Sequence, residues 1–240
     1  MYHSQNFVGV LRSYFSKGTL ETYRKGSRVL LSNADQKVVY FIRSGYVRIY
    51  STTARKEEYT HIIYGQNELF PLTWLSKQDK TSATYQALTD VEVYAVPLSK
   101  VSNDLENKAD LTLAMLRQAV EQYRIYSMRV DNLEYKYASE RLAYRLIMLA
   151  NRFGEYSGKT VTIVPPMTHQ LLASSLNLSR ESVSREIEKL ARRDLVRYNA
   201  QHQIILPSVE ELAKQLHLPM HQGLTSEHTN VAPYSDTVRL

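Results

Sequence analysis

Four side chains in the stretch LNLSRESVSREIEKL are placed to do chemistry together: Arg180, Glu181, Ser184 and Arg185. At helical spacing they share one face. A guanidinium fork can bridge O6 and N7 of guanine, and a carboxylate accepts from N4 of cytosine. The set therefore suits base edges in a DNA major groove. Val183, Ile187 and Leu190 recur at i, i+4, i+7 and form the opposite, apolar face. Ser179 stands where an N-cap belongs. Upstream, Leu172 and Leu176 are the apolar pair of a shorter helix, and Ala173 is small where two helices would cross. Asn177 tolerates the left-handed backbone of a sharp turn. The stretch 168–193 reads as a helix-turn-helix that presents its charged face to DNA.

Such a reader needs a scaffold, and the chain of 240 residues is long enough for one large or two modest domains. A formal charge of +6 favours an anionic partner. The absence of cysteine excludes disulfides, thiolate nucleophiles, zinc–thiolate sites and cysteine-held iron–sulfur clusters. The N-terminal stretch is too short and polar for a signal peptide, and no apolar run approaches ~18 residues. The expectation is a soluble, cytoplasmic protein without a membrane partner. No H-E-x-x-H, Gly-rich phosphate loop or Gly-x-Ser-x-Gly elbow occurs, so neither catalytic nor metal-ligating residues are assigned.

The remaining elements are read in chain order. Asn6 to Phe15 is a short amphipathic helix through Phe7, Val10, Leu11 and Phe15. From Thr19 to Pro97 the signal is short strands rich in Val, Ile, Tyr and Thr, broken by Gly26, Asn33-Ala34-Asp35, Gly45 and Gly65. That pattern predicts a sandwich or small barrel, with Gly26 and Gly45 at positive φ or close backbone approach. Ser99 to Leu105 is helical. Asp110 to Asn132 is one long helix in which Leu113, Leu116, Val120, Tyr123, Ser127 and Val130 alternate three- and four-residue steps. That is a seam for a two-fold partner helix. Asp131-Asn132 is a hinge candidate before ASERLAYRLIMLANRFG, whose Gly154 reads as a helix C-cap. KTVTIVPP is a strand. DLVRYNAQHQIILP reads as a hairpin turning at Asn199-Ala200-Gln201, and Ser208 to Glu211 as a capping box opening a last helix.

A Gly-punctuated barrel, a long seam helix and a winged helix-turn-helix, in that order, resemble the Crp/Fnr (cyclic-AMP receptor protein-like) family of bacterial transcription regulators. The likeness runs from about Asn6 to Leu218. VVYFIRSGYVRIY, with YTHIIYGQNELF after it, resembles the family's barrel hairpin around Gly45, and LNLSRESVSREIEKL resembles its recognition helix. The resemblance implies an α+β fold: a cyclic-nucleotide-binding-like β-barrel (jelly roll) over 1–109 and a dimerisation helix with hinge over 110–135. A winged helix-turn-helix would occupy 136–218, and a flexible tail 219–240. It implies that Arg180, Glu181 and Arg185 read bases. Thr168, Gln170, Ser179 and Ser182 match positions that touch phosphate, His169 takes the place of a basic phosphate contact, and Ser184 is grouped with them. A homodimer on double-stranded DNA would read a pseudo-palindromic TGTGA-like site and engage RNA polymerase, as an activator or a repressor according to where the site lies relative to a promoter.

The barrel departs from the family. Cyclic-nucleotide-binding members carry a Gly-Glu pair and an Arg-Ser pair around the phosphate. Here Leu69, Phe70, Pro71 and Leu72 cover the first, with Pro71 and Leu72 in place of Gly and Glu, and Thr81-Ser82 cover the second, with Thr81 in place of Arg. Proline lacks an amide donor and leucine cannot bond a hydroxyl. Tyr126 and Ser127 stand where small hydroxyl residues would meet the base. These eight positions are the candidate effector pocket, and their chemistry argues against cyclic AMP. Haem would have only His61 in the barrel as an axial ligand. No cofactor is assigned, and the effector, where there is one, is an unidentified small molecule. Two rivals remain: a cyclic-nucleotide-responsive regulator with a divergent pocket, and a cupin-like metal-dependent enzyme, which would need clustered His and Glu ligands.

Overall fold

Alternation along the strand segment decides which layer each residue joins. In a computed structural model, which describes residues 7–35, 37–76, 83–201 and 203–218, eight strands lie between Thr19 and Pro97. They are β1 (Thr19–Tyr23), β2 (Arg28–Leu30), β3 (Val38–Ser44), β4 (Val47–Thr52), β5 (Glu58–Tyr64), β6 (Leu69–Phe70), β7 (Thr84–Ala87) and β8 (Val91–Pro97). They form two open antiparallel sheets, ordered β1-β8-β3-β6 and β2-β7-β4-β5, which face each other as a sandwich. Gly45 carries the chain from one sheet to the other at φ +86°; a Cβ there would sit 2.2 Å from the carbonyl oxygen of Asp90. Gly26 also has φ +86°, with open space around it.

Strand β3 is buried on both faces, hence its unbroken apolar run. Tyr40 and Ile42 point into the sandwich, while Val39 and Phe41 point outward beneath three helices. Those helices are α1 (Phe7–Phe15), α2 (Leu98–Asn107) and α3 (Ala109–Glu134), which bury Leu11, Phe15, Val101, Leu111 and Met115 against that sheet.

The sandwich interior is filled by aromatic rings. Phe70 stacks on Tyr40, Tyr64 and Tyr85 with centroids 5.3, 5.7 and 5.1 Å away. Phe70 and Tyr85 are almost completely buried. Gln122 of α3 reaches this layer: its amide donates to the Leu69 carbonyl at 2.8 Å and its oxygen accepts from the Tyr64 hydroxyl at 3.4 Å.

The second unit comprises α4 (Ala138–Phe153), β9 (Gly154–Ser157), β10 (Thr160–Ile163), α5 (His169–Leu176), α6 (Arg180–Arg192), β11 (Arg197–Tyr198), β12 (Ile204–Leu206) and α7 (Val209–Gln215). Its sheet order is β11-β12-β10-β9. Leu142, Leu146, Leu149, Val161, Leu172, Leu176, Val183, Ile187, Leu190 and Leu212 close one core among these elements.

The structure departs from the sequence reading at four places. The long helix does not break at Asp131-Asn132. It runs to Glu134, because Asn132 is buried and donates to the Arg141 carbonyl at 2.9 Å; the extended break falls at Tyr135 to Tyr137. Gly154 ends α4 in an extended conformation (φ −85°, ψ 134°), not a left-handed one. Glycine is needed there because a Cβ would meet the Ala150 carbonyl oxygen at 2.2 Å. Strand β9, absent from the sequence reading, pairs with β10 about Gly158 at φ +62°. Ser208 caps α7 by accepting from the Glu211 amide at 3.1 Å, but the Glu211 carboxylate bonds Gln215, leaving the capping box half made.

The two units are packed together. Thr60 and Ser174, both buried, share a hydroxyl hydrogen bond of 2.8 Å between β5 and α5. Glu68 and Arg152 form a well-shielded ion pair at 2.9 Å, and Tyr46 meets Phe153 edge to face.

Candidate nucleic-acid interface

Helix α6 is held by its apolar stripe. Val183, Ile187 and Leu190 are at most 3% exposed, so the helix can turn only one way, with Arg180, Glu181 and Arg185 in solvent. Ser179 caps it, accepting from the Ser182 amide at 3.1 Å. Glu181 lies in the first turn and Lys189 and Arg192 in the last, each sign where the helix dipole favours it. Helix α5 is capped by Thr168, whose hydroxyl accepts from the Leu171 amide at 3.1 Å, and it ends at Asn177 with φ 57° and ψ 41°. Ala173, 2% exposed, sits in the core beneath that turn. The helix-turn-helix geometry matches the sequence reading at each of these positions.

The polar residues on this face differ in how committed they are. Arg180, Glu181 and Gln170 are exposed and make no hydrogen bond or ion pair among the described residues. Arg185 makes one long bond, Nη2 to the Ser182 hydroxyl at 3.4 Å. Ser179 and Ser182 hydroxyls bond each other at 3.0 Å. His169 is held from both sides: Nδ1 lies 2.6 Å from the Ser184 hydroxyl and Nε2 lies 3.1 Å from the Tyr198 hydroxyl. Ser184 is thus half-buried and spent on positioning His169, rather than projecting outward with Arg180.

The hairpin β11–β12 stands beside α6. Asn199 builds its turn, its side-chain oxygen accepting from the amides of Gln201 at 3.0 Å and Gln203 at 2.9 Å. A cleft of about 430 Å³ runs along this edge, lined by Pro166, Met167, Thr168, His169, Tyr198, Gln201 and, from the sandwich, Lys25. Lys25 and Tyr198 were not legible as part of the site. Lys25 sits in a turn between β1 and β2, anchored by its amide on the Asp90 carboxylate at 2.8 Å.

The expected dimer seam lies on the outer face of α3. Leu113, Leu116, Val120, Tyr123 and Val130 are exposed by 39, 57, 58, 74 and 60%, Leu133 joins them at 48%, and Ser127 is exposed on the same side. The inner face, with Leu111, Met115, Ile125 and Met128, is buried on the chain's own core.

The six described pocket positions do not gather at one site. Phe70 is inside the sandwich, whereas Leu69 belongs to the layer under α1 and α3, Leu72 packs against that layer, and Pro71 is buried. Tyr126 and Ser127 are exposed on α3. Thr81 and Ser82 lie outside the described residues, as does the stretch 219–240. His61 bonds the Ser51 hydroxyl at 2.9 Å. No three His, Asp or Glu side chains converge among the described residues, and no described helix is long and apolar enough to cross a membrane.

Comparison with known proteins separates the same two units. Residues 20–108 match the model of the cyclic nucleotide-binding domain, and 140–215 match that of the Crp-like helix-turn-helix domain. The chain is 24% identical over 179 residues to the global nitrogen regulator of Nostoc sp., covering 74% of this chain and 80% of that one. It is 27% identical over 197 residues to the cyclic AMP receptor protein of Thermus thermophilus, covering 79% and 83%. Among solved structures, FixK2 from Bradyrhizobium japonicum has the same fold, with TM-score 0.72 at 20% identity, covering 82% of this chain and 96% of that one.

Proposed function

Because this chain belongs to the Crp/Fnr family of transcription regulators, we propose that it binds a pseudo-palindromic TGTGA-like DNA site as a homodimer, reading bases through Arg180, Glu181 and Arg185. The observation that carries this reading is the orientation of α6: its apolar stripe is buried, and its three base-reading candidates are exposed and nearly uncommitted. Arg180 and Arg185 are suited to guanine and Glu181 to cytosine. Thr168, Gln170, Ser182 and His169 would hold phosphates, with Lys25 across the cleft adding a cation from the sandwich. Ser184 then acts through His169.

The outer face of α3 supports the homodimer. A contiguous exposed apolar stripe along a helix of about 39 Å is more than a lone soluble chain leaves in water. A two-fold pair built on it presents two reading helices, and half-sites ~34 Å apart match one turn of DNA. RNA polymerase is the partner expected of an activator in this family.

Control by cyclic AMP is disfavoured. The Thermus relative's name specifies that nucleotide, but here Pro71 and Leu72 replace the polar cradle, and stacked aromatic rings fill the interior next to Phe70. The reading is a regulator that responds to another signal or is active without a ligand. The test is binding of purified protein to a TGTGA palindrome and to one with both guanines changed, with and without cyclic AMP. Equal affinity for the two duplexes at physiological salt rejects the base-reading assignment, and a large gain with cyclic AMP rejects the assignment of the signal.

A further inference from the structure

Where α3, α4 and β5 meet, Arg129 and Arg152 lie within electrostatic reach of Arg145, and of the three only Arg152 bonds the carboxylate of Glu68. Arg129 of α3 donates to the backbone carbonyls of Thr60 and His61, the latter at 2.9 Å. Arg152 of α4 holds Glu68 through both carboxylate oxygens, at 2.9 and 3.1 Å, and Glu68 also accepts from the Gly65 amide at 2.6 Å. Arg145, two turns earlier on α4, is 5% exposed. Its Nε and Nη2 are buried without a hydrogen-bond partner, and so is the Nε of Arg141 one turn before it. Among the described residues neither Arg129 nor Arg145 has an ion pair, and Glu68 is already committed.

A buried guanidinium without a counter-charge is strongly unfavourable, and a protein that keeps one has a partner for it. Burial, together with repulsion from Arg129 and Arg152, pulls the Arg145 pKa down to about 9, in keeping with a missing negative charge. The guanidinium fork matches a carboxylate or phosphate edge on two bonds.

We propose that Arg145, flanked by Arg129 and Arg152, binds a small multivalent oxyanion of the phosphate or dicarboxylate type at the junction of sandwich, seam helix and reader. The site is separate from the aromatic-filled sandwich interior and from the DNA-facing side of α6. Because its three arginines come from the seam helix and the first helix of the reader, an anion there fastens one arrangement of those elements against β5.

The test is calorimetric titration of the full chain with inorganic phosphate and, separately, with succinate, at constant ionic strength set by chloride. Saturable binding of at least one anion at one site per chain is expected, weakened roughly tenfold to hundredfold in Arg145→Met. In chloride alone Arg145→Met should melt higher than the parent chain, which also reports that it folds. If it does not fold, Arg145→Lys keeps the charge, loses the fork, and should show the same direction of weakening. The double variant Arg180→Ala/Arg185→Ala should bind the anion like the parent. The proposal falls if neither anion binds above the chloride background, if the Arg145 variants bind equally well, or if the double variant loses binding, which would place the anion on the DNA face.

Discussion

Replacing Arg180 by alanine tests the base-reading assignment with little disturbance elsewhere. The side chain is exposed and touches no described partner, so folding stability should move by no more than about 0.5 kcal/mol. A bidentate contact to guanine discriminates by about 1–3 kcal/mol. A two-fold dimer makes that contact twice, so Arg180→Ala should cost about 2–6 kcal/mol on a full palindrome, or roughly 30-fold to 10⁴-fold in affinity. Fluorescence anisotropy with two duplexes, one carrying TGTGA half-sites a turn apart and one with the contacted guanine changed, reads both affinity and discrimination. The variant should lose discrimination at that guanine while its salt dependence stays the same. Lys25→Ala is the contrasting perturbation: both duplexes should weaken equally, and the slope of log affinity against log salt should fall by about 1 per chain. If Arg180→Ala instead behaves as Lys25→Ala should, with discrimination intact and a reduced salt slope, Arg180 is a phosphate contact and the base assignment is wrong.

Val120→Glu places a charge in the middle of the exposed apolar stripe of α3, so sedimentation equilibrium should show monomer, with an unchanged circular dichroism spectrum and much weaker binding to a palindrome. An unaltered dimer would move the interface elsewhere. Glu68→Gln keeps an acceptor for the Gly65 amide but strands the charge of Arg152; denaturant unfolding should show a loss of roughly 3–5 kcal/mol, and a loss under 1 would show that the pair is not structural. His61 is held below its ordinary pKa of 6.5, first by burial and then by the Arg129 charge. The unfolded chain therefore takes up the proton more readily than the folded one, and stability should decline as pH falls below about 6.5 toward the lower folded value. His61→Gln should flatten that part of the melting profile, and an identical profile would remove His61 as its source.

The reader was legible because its signals are local. Ser179, Val183, Ile187 and Leu190 lie within one helix, and Asn177 marks a backbone conformation that few residues adopt. The strands of the sandwich were legible for the same reason, with Gly45 at the turn where a Cβ has no room. What failed was whatever depends on distant partners. Strand β9 is short, polar and mostly exposed, and it exists because β10 pairs with it, so Gly-Glu-Tyr-Ser carries no alternation to detect. Asp131-Asn132 looks like a break in isolation, but Asn132 is fixed by a carbonyl on the next helix. Thr60 and Ser174 meet across 114 positions of chain, and nothing near either residue announces the other. The described positions of the candidate effector pocket are dispersed because neighbouring residues on a strand face opposite ways: Leu69 and Phe70 are adjacent and belong to different layers.

The position of Gln122 bears on how the sandwich is coupled to the helix-turn-helix unit. It lies on the inner face of α3, bonds the Leu69 backbone and Tyr64 hydroxyl inside the sandwich, and is one residue from Tyr123 on the exposed seam. A change in the packing of Phe70 or Tyr64 therefore reaches the seam through one side chain, with no intervening loop to absorb it. The reader is tied to the same strand, since β5 supplies Tyr64 at its end, Thr60 to Ser174 and the carbonyls held by Arg129. Sandwich interior, seam and reader thus share β5 as a common rigid element. A signal acting at any of the three is felt at the other two only to the extent that it binds one arrangement of β5 and its partners better than another. On that argument, a change at Ser174, which bonds Thr60 outside the sandwich interior and away from the bases read by α6, should alter the response to a signal.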